Sequence, residues 1–138
     1  MYDLSHHLLD IVENSIAAKA SQIEIRICEN RRKNKLVIVI KDNGKGMDGA
    51  VKKKVLGPFF TTKKKKTGLG LPLFAQAAEQ SGGSLRIESE VNRGTKVTAD
   101  FQLDHIDRKP LGDLHETVRV LRATHPEIRF TYRYQVST

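Results

Sequence analysis

The sequence is poor in the residues that build disulfide scaffolds and membrane spans. Cys28 is the only cysteine among 138 residues, which excludes a disulfide framework and a thiolate zinc site. No apolar run approaches the length that crosses a bilayer, and the N-terminus lacks a signal-peptide pattern. These absences predict a cytoplasmic protein that makes no membrane contact. The length of the chain predicts one domain that is large enough to bury a core.

Aromatic residues are also scarce, at 6% of the chain with no tryptophan. The formal net charge of +8 would fit a nucleic-acid partner. However, the basic residues are scattered, apart from runs at 31–33 and 63–66. The adjacent Phe59 and Phe60 would not form successive stacking platforms on a strand or a helix. The charge therefore indicates an acidic or phosphate-bearing partner and no more, and the scarce aromatic residues and scattered basic residues make nucleic acid the less favoured partner.

The periodicity of apolar residues predicts interleaved helices and strands. Helices are expected over 3–18, 48–55, 70–81 and 111–124, and strands over 22–29, 36–40, 84–90, 94–103 and 127–136. The continuously apolar segment 36–40 is typical of a central strand that is buried on both faces. Because short turns join two of the strand pairs, the sheet must be mixed, and we expect a two-layer α/β sandwich.

Three glycine-containing segments follow one another at the ends of these elements. They are DNGKG at 42–46, GLGL at 68–71, and the pair Gly94-Thr95. Glycines at a helix N-terminus let backbone N–H groups approach a phosphate. The Asp42 carboxylate, at a strand end within a tight glycine loop, is placed to accept a hydrogen bond from a group such as an exocyclic amine. Each segment alone is a weak signal, since a Gly-x-Gly loop is usually just a turn, but their order along the chain strengthens a functional interpretation.

The first predicted helix has a polar face of unusual composition. His6, Asp10 and Asn14 are each four residues apart, so they stack one turn above another. The Asn14 side chain offers a neutral oxygen to Mg²⁺, which would otherwise keep its waters and use phosphates as ligands. Asp10, one turn away, could orient or deprotonate an attacking group.

In this order, the asparagine on a helix, D-x-G-x-G, PFF, GLGL and GT resemble the GHKL ATPase superfamily over residues 3–103. That superfamily comprises gyrase, heat-shock chaperones, histidine kinases and MutL. The resemblance implies the Bergerat fold, in which helices cover one face of a mixed sheet and bind ATP and Mg²⁺ beneath a lid. It assigns Mg²⁺ to Asn14, the adenine amino group to Asp42 and a place near the base to Thr95. The lid and phosphate contacts fall on Gly44, Gly46, Gly68, Leu69, Gly70 and Leu71.

Two strings of the sequence resemble different branches of the superfamily. PFFTTKKKKTGLGL is most similar to the lid of nitrogen-regulatory sensor histidine kinases, whereas HHLLDIVENSIAA reads equally like the gyrase and MutL helix. The lysines of the lid, Lys63 among them, are expected to help neutralise charge on the γ-phosphate.

The catalytic assignment departs from the family pattern at one position. In the hydrolysing branches and in the mitochondrial dehydrogenase kinases, a glutamate four residues before the asparagine is the general base. Asp10 stands there in this sequence and is one methylene shorter. His6 stands where several members carry a histidine that polarises the base. The resemblance therefore makes Asp10 and His6 the catalytic candidates.

We divide the chain into an ATP-binding domain, residues 1–103, and a C-terminal helix-strand extension, 104–138, packed on the same domain. The extension could continue the sheet, cover its outer face or form a partner interface. Only five residues precede His6, so a stand-alone kinase that passes the ATP γ-phosphate to a partner protein is the leading hypothesis. An ATP-responsive binding module without phosphoryl transfer and a weak ATPase remain alternatives, and a homodimer stays open.

Overall fold

The sequence folds into a five-stranded sheet with helices packed against it. The computed structural model describes residues 4–46, 70–104 and 112–137. In chain order the elements are α1 (Leu4–Ala17), β1 (Gln22–Asn30), β2 (Lys35–Asp42), α2 (Gly70–Gln80), β3 (Ser84–Glu90), β4 (Gly94–Gln102), α3 (Leu114–Thr124) and β5 (Arg129–Ser137). None of the helices in these ranges is long and apolar enough to cross a membrane. The predicted helix over 48–55 lies outside the described residues.

The sheet is mixed, as the short turns predicted. Its strand order is β3-β4-β2-β1-β5, so β2 is the central strand. β2 pairs antiparallel with both β1 and β4, and β3 pairs antiparallel with β4. β5 runs parallel to β1 and forms one edge of the sheet.

The helices pack on one face of the sheet, and the core lies between the two layers. Alternation along the strands turns one set of apolar side chains towards the helices. The buried residues of this set include Ile25, Ile38, Ile40, Val97 and Phe101. α1 contributes a stripe at helical spacing that includes Leu4, Leu8, Ile11 and Val12. This arrangement confirms the predicted two-layer α/β sandwich.

One expectation about β2 is wrong. The uninterrupted apolar sequence predicted burial on both faces, but Val37 and Val39 point away from the helices and are only half-buried. No described helix packs on this side of the sheet, which we call the outer face. The β-branched side chains here are explained by strand propensity and by neighbouring side chains on the sheet surface rather than by a second core layer.

α1 and α2 are both followed by a residue in the left-handed conformation. At the end of α1, Lys19 has φ 65° and the Ala20 N–H donates to the Ser15 carbonyl at 3.2 Å. At the end of α2, Gly82 has φ 75° and the Gly83 N–H donates to the Ala78 carbonyl at 2.9 Å. Such bonds satisfy the last helical carbonyls, and the second confirms the predicted termination at Gly82-Gly83.

The C-terminal segment extends the sheet and also contributes to the core. α3 begins after Asp113, whose side chain accepts a hydrogen bond from the Glu116 N–H at 3.0 Å. Leu114, Val118 and Leu121 are buried against the core, as their spacing predicted. β5 then pairs with β1 along its whole length. The division into residues 1–103 and 104–138 remains a prediction.

Candidate functional site

Asp42 ends the central strand with its side chain on the helix side of the sheet. It is a buried carboxylate, 9% exposed. Its Oδ2 accepts a hydrogen bond from the Ser15 hydroxyl at 2.6 Å, and its Oδ1 accepts one from the Gly44 N–H at 2.8 Å. An ionised carboxylate has about four lone-pair positions. Both oxygens are therefore held in orientation and each retains capacity to accept another hydrogen bond.

The strand register places Thr95 beside Asp42. Asp42 pairs with Thr95 across β2 and β4, and Thr95 pairs with Ser89 across β4 and β3. Paired residues project from the same face of a sheet. The Ser89 and Thr95 hydroxyl oxygens lie 2.8 Å apart, and the Ser89 hydroxyl donates to the Gly94 carbonyl at 2.9 Å. The structure thus brings Asp42 and Thr95 together, although they are 53 positions apart in the sequence.

The loop that follows Asp42 is anchored to the start of β1 by Asn43. The Asn43 Oδ1 accepts hydrogen bonds from the Ser21 and Gln22 backbone N–H groups, each at 2.9 Å. Its Nδ2 donates to the Ser21 hydroxyl, also at 2.9 Å. These three hydrogen bonds hold the loop against the start of β1.

Glycines allow the same loop to fit between α1 and the β3–β4 turn. A Cβ on Gly44 would lie 2.8 Å from the Ala18 carbonyl oxygen, to which the Lys45 N–H donates at 2.9 Å. Gly46 has φ +70°, and a Cβ there would lie 2.0 Å from the Glu90 carbonyl oxygen. A side chain at either position would push the loop away from its supports.

The polar face of α1 ends next to this loop. His6, Asp10 and Asn14 follow one another at intervals of four residues, and Ala18, the next in that series, contacts Gly44. Asp10 and Asn14 are half-buried, and His6 is exposed. The Asn14 amide oxygen is thus partly accessible on α1, and an amide oxygen is a ligand that suits Mg²⁺. Within the described ranges no group of three or more His, Cys, Asp and Glu residues is arranged to hold a metal.

Part of the predicted site lies outside the described residues. This holds for Lys63, Gly68 and Leu69, so their assignment to a lid stays a prediction. Gly70 is the first residue of α2, as expected for a glycine at a helix N-terminus, and Leu71 follows it in the helix. Of Leu71 only the backbone is described.

Sequence reasoning missed three polar residues that shape the site: Ser15, Asn43 and Ser89. A signal was available for Ser15, because a serine within the buried apolar stripe of a helix needs a hydrogen-bond partner. No comparable signal existed for Ser89, since alternation along β3 indicates its face but not its neighbour on β4.

The chain is similar to several known proteins. The family described as histidine kinase-, DNA gyrase B-, and HSP90-like ATPase matches residues 2–105. Sporulation kinase C of Bacillus subtilis is 35% identical over 92 residues, which cover 67% of this chain and 22% of that protein. The signal transduction histidine-protein kinase AtoS of Escherichia coli is 36% identical over 96 residues, covering 69% of this chain and 16% of that protein. The chain spans about a fifth of the length of the curated relatives it matches.

A solved structure shares the fold. The Aquifex aeolicus MutL ATPase domain, complexed with ADP, superimposes with a TM-score of 0.58 at 22% sequence identity. The match covers 92% of this chain and 57% of the MutL domain.

Proposed function

Because the chain belongs to the histidine kinase-, DNA gyrase B- and HSP90-like ATPase family, as an ATP-binding domain related to the histidine kinases, we propose that it binds ATP with Mg²⁺ and transfers the γ-phosphate to a partner protein. The family match confirms the resemblance drawn from the sequence motifs. Transfer to a protein is supported by the names of the two relatives reported above, both kinases and one of them a histidine-protein kinase.

The observation that carries the proposal is the state of Asp42. This carboxylate is buried, oriented by Ser15 and Gly44, and still able to accept hydrogen bonds. A buried acceptor with spare capacity favours a ligand that brings an N–H donor, such as the adenine amino group. Thr95, the next residue across the sheet, adds a hydroxyl beside the same position.

The remaining roles follow from the chemistry of phosphoryl transfer, which depends mainly on positioning and charge stabilisation. Bound Mg²⁺ would neutralise charge on the phosphates, and Asn14 would supply its protein ligand. Asp10, one turn away on α1, would accept a proton from the attacking group or orient it. His6 would support Asp10, and the lysines of the lid, with Lys63 the first, would face the γ-phosphate.

The shorter side chain at position 10 favours an alternative. If Asp10 does not reach the attacking group, ATP would act as a conformational ligand of a binding module rather than as a phosphate donor. Hydrolysis of ATP by water is the third candidate and requires the same residue. All three share the nucleotide site, so binding is tested first.

Calorimetry with a non-hydrolysable ATP analogue tests the site directly. We expect binding that depends on Mg²⁺, and a loss of at least about 100-fold in Asp42→Asn, whose amide N–H groups would face the adenine donor. Asp113→Asn is the matched control, because asparagine caps a helix as well as aspartate and Asp113 precedes α3. Absence of analogue binding to the unmodified protein would refute the proposal.

Labelled ATP then separates the three activities. The protein is incubated with ATP labelled on the γ-phosphate and with lysate of its own cell. A labelled partner protein supports the kinase, free phosphate supports the ATPase, and nucleotide-dependent retention of a partner without label supports the module. Asp10→Asn should abolish labelling and hydrolysis but leave analogue binding intact, since Asp10 is assigned no contact with the base.

A further inference from the structure

The outer face of the sheet carries an unusual arrangement of charge. The strand register aligns Arg86, Thr98, Val39, Arg26 and Arg133 in one row across all five strands. With strands about 4.8 Å apart, the row spans about 19 Å. Its three arginines are exposed, whereas Val39 is half-buried and Thr98 is buried.

The adjacent row, towards the Asp42 end of the strands, adds lysines. It contains Glu88, Lys96, Lys41 and Glu24, in the order of the strands. Two pairs of like charge are therefore directly opposed on neighbouring strands: Lys41 with Lys96, and Arg26 with Arg133. Such pairs destabilise a sheet unless an anion lies between them.

The anions present in these rows are too few to balance the cations. Glu24 binds the Arg26 guanidinium at 2.6 Å. That hydrogen bond, with the charges of Arg26, Lys41 and Arg133, lowers the pKa of the Glu24 carboxyl below its usual value. Glu88, opposite Lys96, is the second carboxylate of these rows, so two carboxylates face five cations. Asp100 lies on the same face one row further from Asp42, between Ser84 and Val37, and its carboxylate accepts a hydrogen bond from the Ser84 backbone N–H at 3.0 Å.

An apolar strip lies between the charges. Val37 and Val39 on β2 form its centre, and Cys28 on β1 lies opposite Val37. All three are half-buried. No aromatic side chain of the described strands projects from this face, so it offers no platform for stacked bases. An apolar centre flanked by cations on both sides complements an amphipathic helix with acidic flanks.

We propose that the outer face docks an acidic amphipathic helix of a partner protein, lying along β2. A helix about 10–12 Å in diameter covers roughly two strand spacings. Its apolar side would rest on Val37 and Val39. Its carboxylates would then reach Arg86 on one flank and Arg26 and Arg133 on the other, so that the opposed like charges are separated by anions.

The surface lies back to back with the nucleotide site. Lys41 directly precedes Asp42 on β2, and Lys96 directly follows Thr95 on β4. The two sites use opposite faces of the same strands, so a docked helix leaves the helix side of the sheet accessible. The docking proposal does not depend on ATP binding and can be tested without nucleotide.

A designed peptide is the probe. It has about 18 residues, leucines at helical spacing and glutamates on both flanks, with a fluorescein label. The matched peptide carries glutamine in place of glutamate. By fluorescence anisotropy with the full chain, we expect the acidic peptide to bind at least about tenfold more tightly, and to lose about tenfold between about 50 mM and about 300 mM salt.

Two protein variants locate the binding. Arg133→Gln should weaken the acidic peptide about threefold to fivefold. Arg32→Gln makes the same charge change on an exposed residue of the β1–β2 turn and should leave affinity unchanged. Both residues are exposed, so an unchanged thermal transition is expected and verifies that each variant folds. Asp42→Asn should bind the peptide normally, which separates this proposal from the nucleotide site.

Three results would overturn the proposal: equal affinity for the two peptides, an equal effect of Arg32→Gln and Arg133→Gln, or displacement of the acidic peptide by a single-stranded oligonucleotide. If the protein instead self-associates and Val39→Asp converts it to a monomer, the outer face is a contact surface for a second copy of the chain.

Discussion

At the scale of single residues, the hydrogen bond from Ser15 to Asp42 is the contact on which the proposed nucleotide site most directly depends. It holds a buried carboxylate in one orientation at the end of the central strand. Ser15 is itself buried, so its hydroxyl has few other places to donate.

We expect Ser15→Ala to weaken ATP binding about fivefold, because one positioning hydrogen bond is worth about 1 kcal/mol. Titration calorimetry with an ATP analogue measures the change. Ser84→Ala, an exposed serine of β3 at the opposite end of the sheet, is the control. Unchanged affinity in Ser15→Ala would show that Asp42 is oriented without it.

The buried side chain of Tyr132 should make the stability of the protein depend on pH in the alkaline range. Its hydroxyl is buried and has no hydrogen-bond partner among the described residues. Burial, and then the negative charge of Asp113, raise the pKa of this phenol above 10.0. The folded state therefore keeps the proton at a pH where the unfolded chain has lost it, so stability falls as pH rises past about 10.

Tyr132→Phe should remove that part of the alkaline loss of stability and change stability at neutral pH by less than about 1 kcal/mol. Chemical denaturation of both proteins between about pH 8 and about pH 11 measures the difference. The same substitution at Tyr134, two residues along β5, is the control. An identical pH dependence in the wild type and Tyr132→Phe would contradict the assignment.

At the scale of elements, the D-x-G-x-G loop and the β3–β4 turn are fitted to each other. Gly94 has φ +100°, and a Cβ there would lie 2.0 Å from the Asp42 carbonyl oxygen. The Asn92 N–H donates to the Lys45 carbonyl at 2.7 Å across the same junction. A change in the turn is therefore transmitted to the residue that is proposed to bind adenine.

Gly94→Ala should destabilise the protein by about 2–4 kcal/mol and also reduce ATP affinity, because Asp42 must move. Gly83→Ala is the matched control. A Cβ on Gly83 would lie 1.8 Å from the Asp100 carbonyl oxygen, at the start of β3 and far from Asp42. It should lower the thermal transition but leave the affinity of the folded protein unchanged. Equal affinities of the two variants would argue against the coupling.

At the scale of the whole molecule, α3 and β5 complete one core rather than adding a separate layer. Leu114, Val118 and Leu121 belong to the same buried cluster as the apolar residues of α1 and the central strands. β5 pairs with β1 along nine positions. We therefore expect the described helices and strands to unfold cooperatively.

Leu121→Ala should lower stability by about 2–5 kcal/mol through the cavity it leaves. Guanidinium denaturation, followed both by far-ultraviolet circular dichroism and by the loss of ATP-analogue binding, should show one shifted transition. Val120→Ala, an exposed neighbour on α3, should change stability by less than about 0.5 kcal/mol. If nucleotide binding instead persists at guanidinium concentrations at which α3 has unfolded, the C-terminal extension is an independent unit.

The helices, the strands and the residue types of the candidate site could be predicted from the sequence. Apolar periodicity is a local property, so α1, α2, α3 and the strands could be located from it. The glycine segments likewise mark loops whose backbone conformation depends on the local sequence. Their order along the chain indicates the family. The order of these segments, through the family it indicates, predicts Asp42 and Thr95 as nucleotide-binding candidates.

Which of these residues contact one another depends on the packing of the helices and on the order of the strands. The bond between Ser15 and Asp42 joins residues 27 positions apart, and the parallel pairing of β5 with β1 depends on strand order rather than on strand propensity. The exposure of Val37 and Val39 has the same origin, since a sequence run cannot show whether one or two layers cover a strand. Long-range pairing and layer packing set these features, and neither is encoded in a local window of sequence.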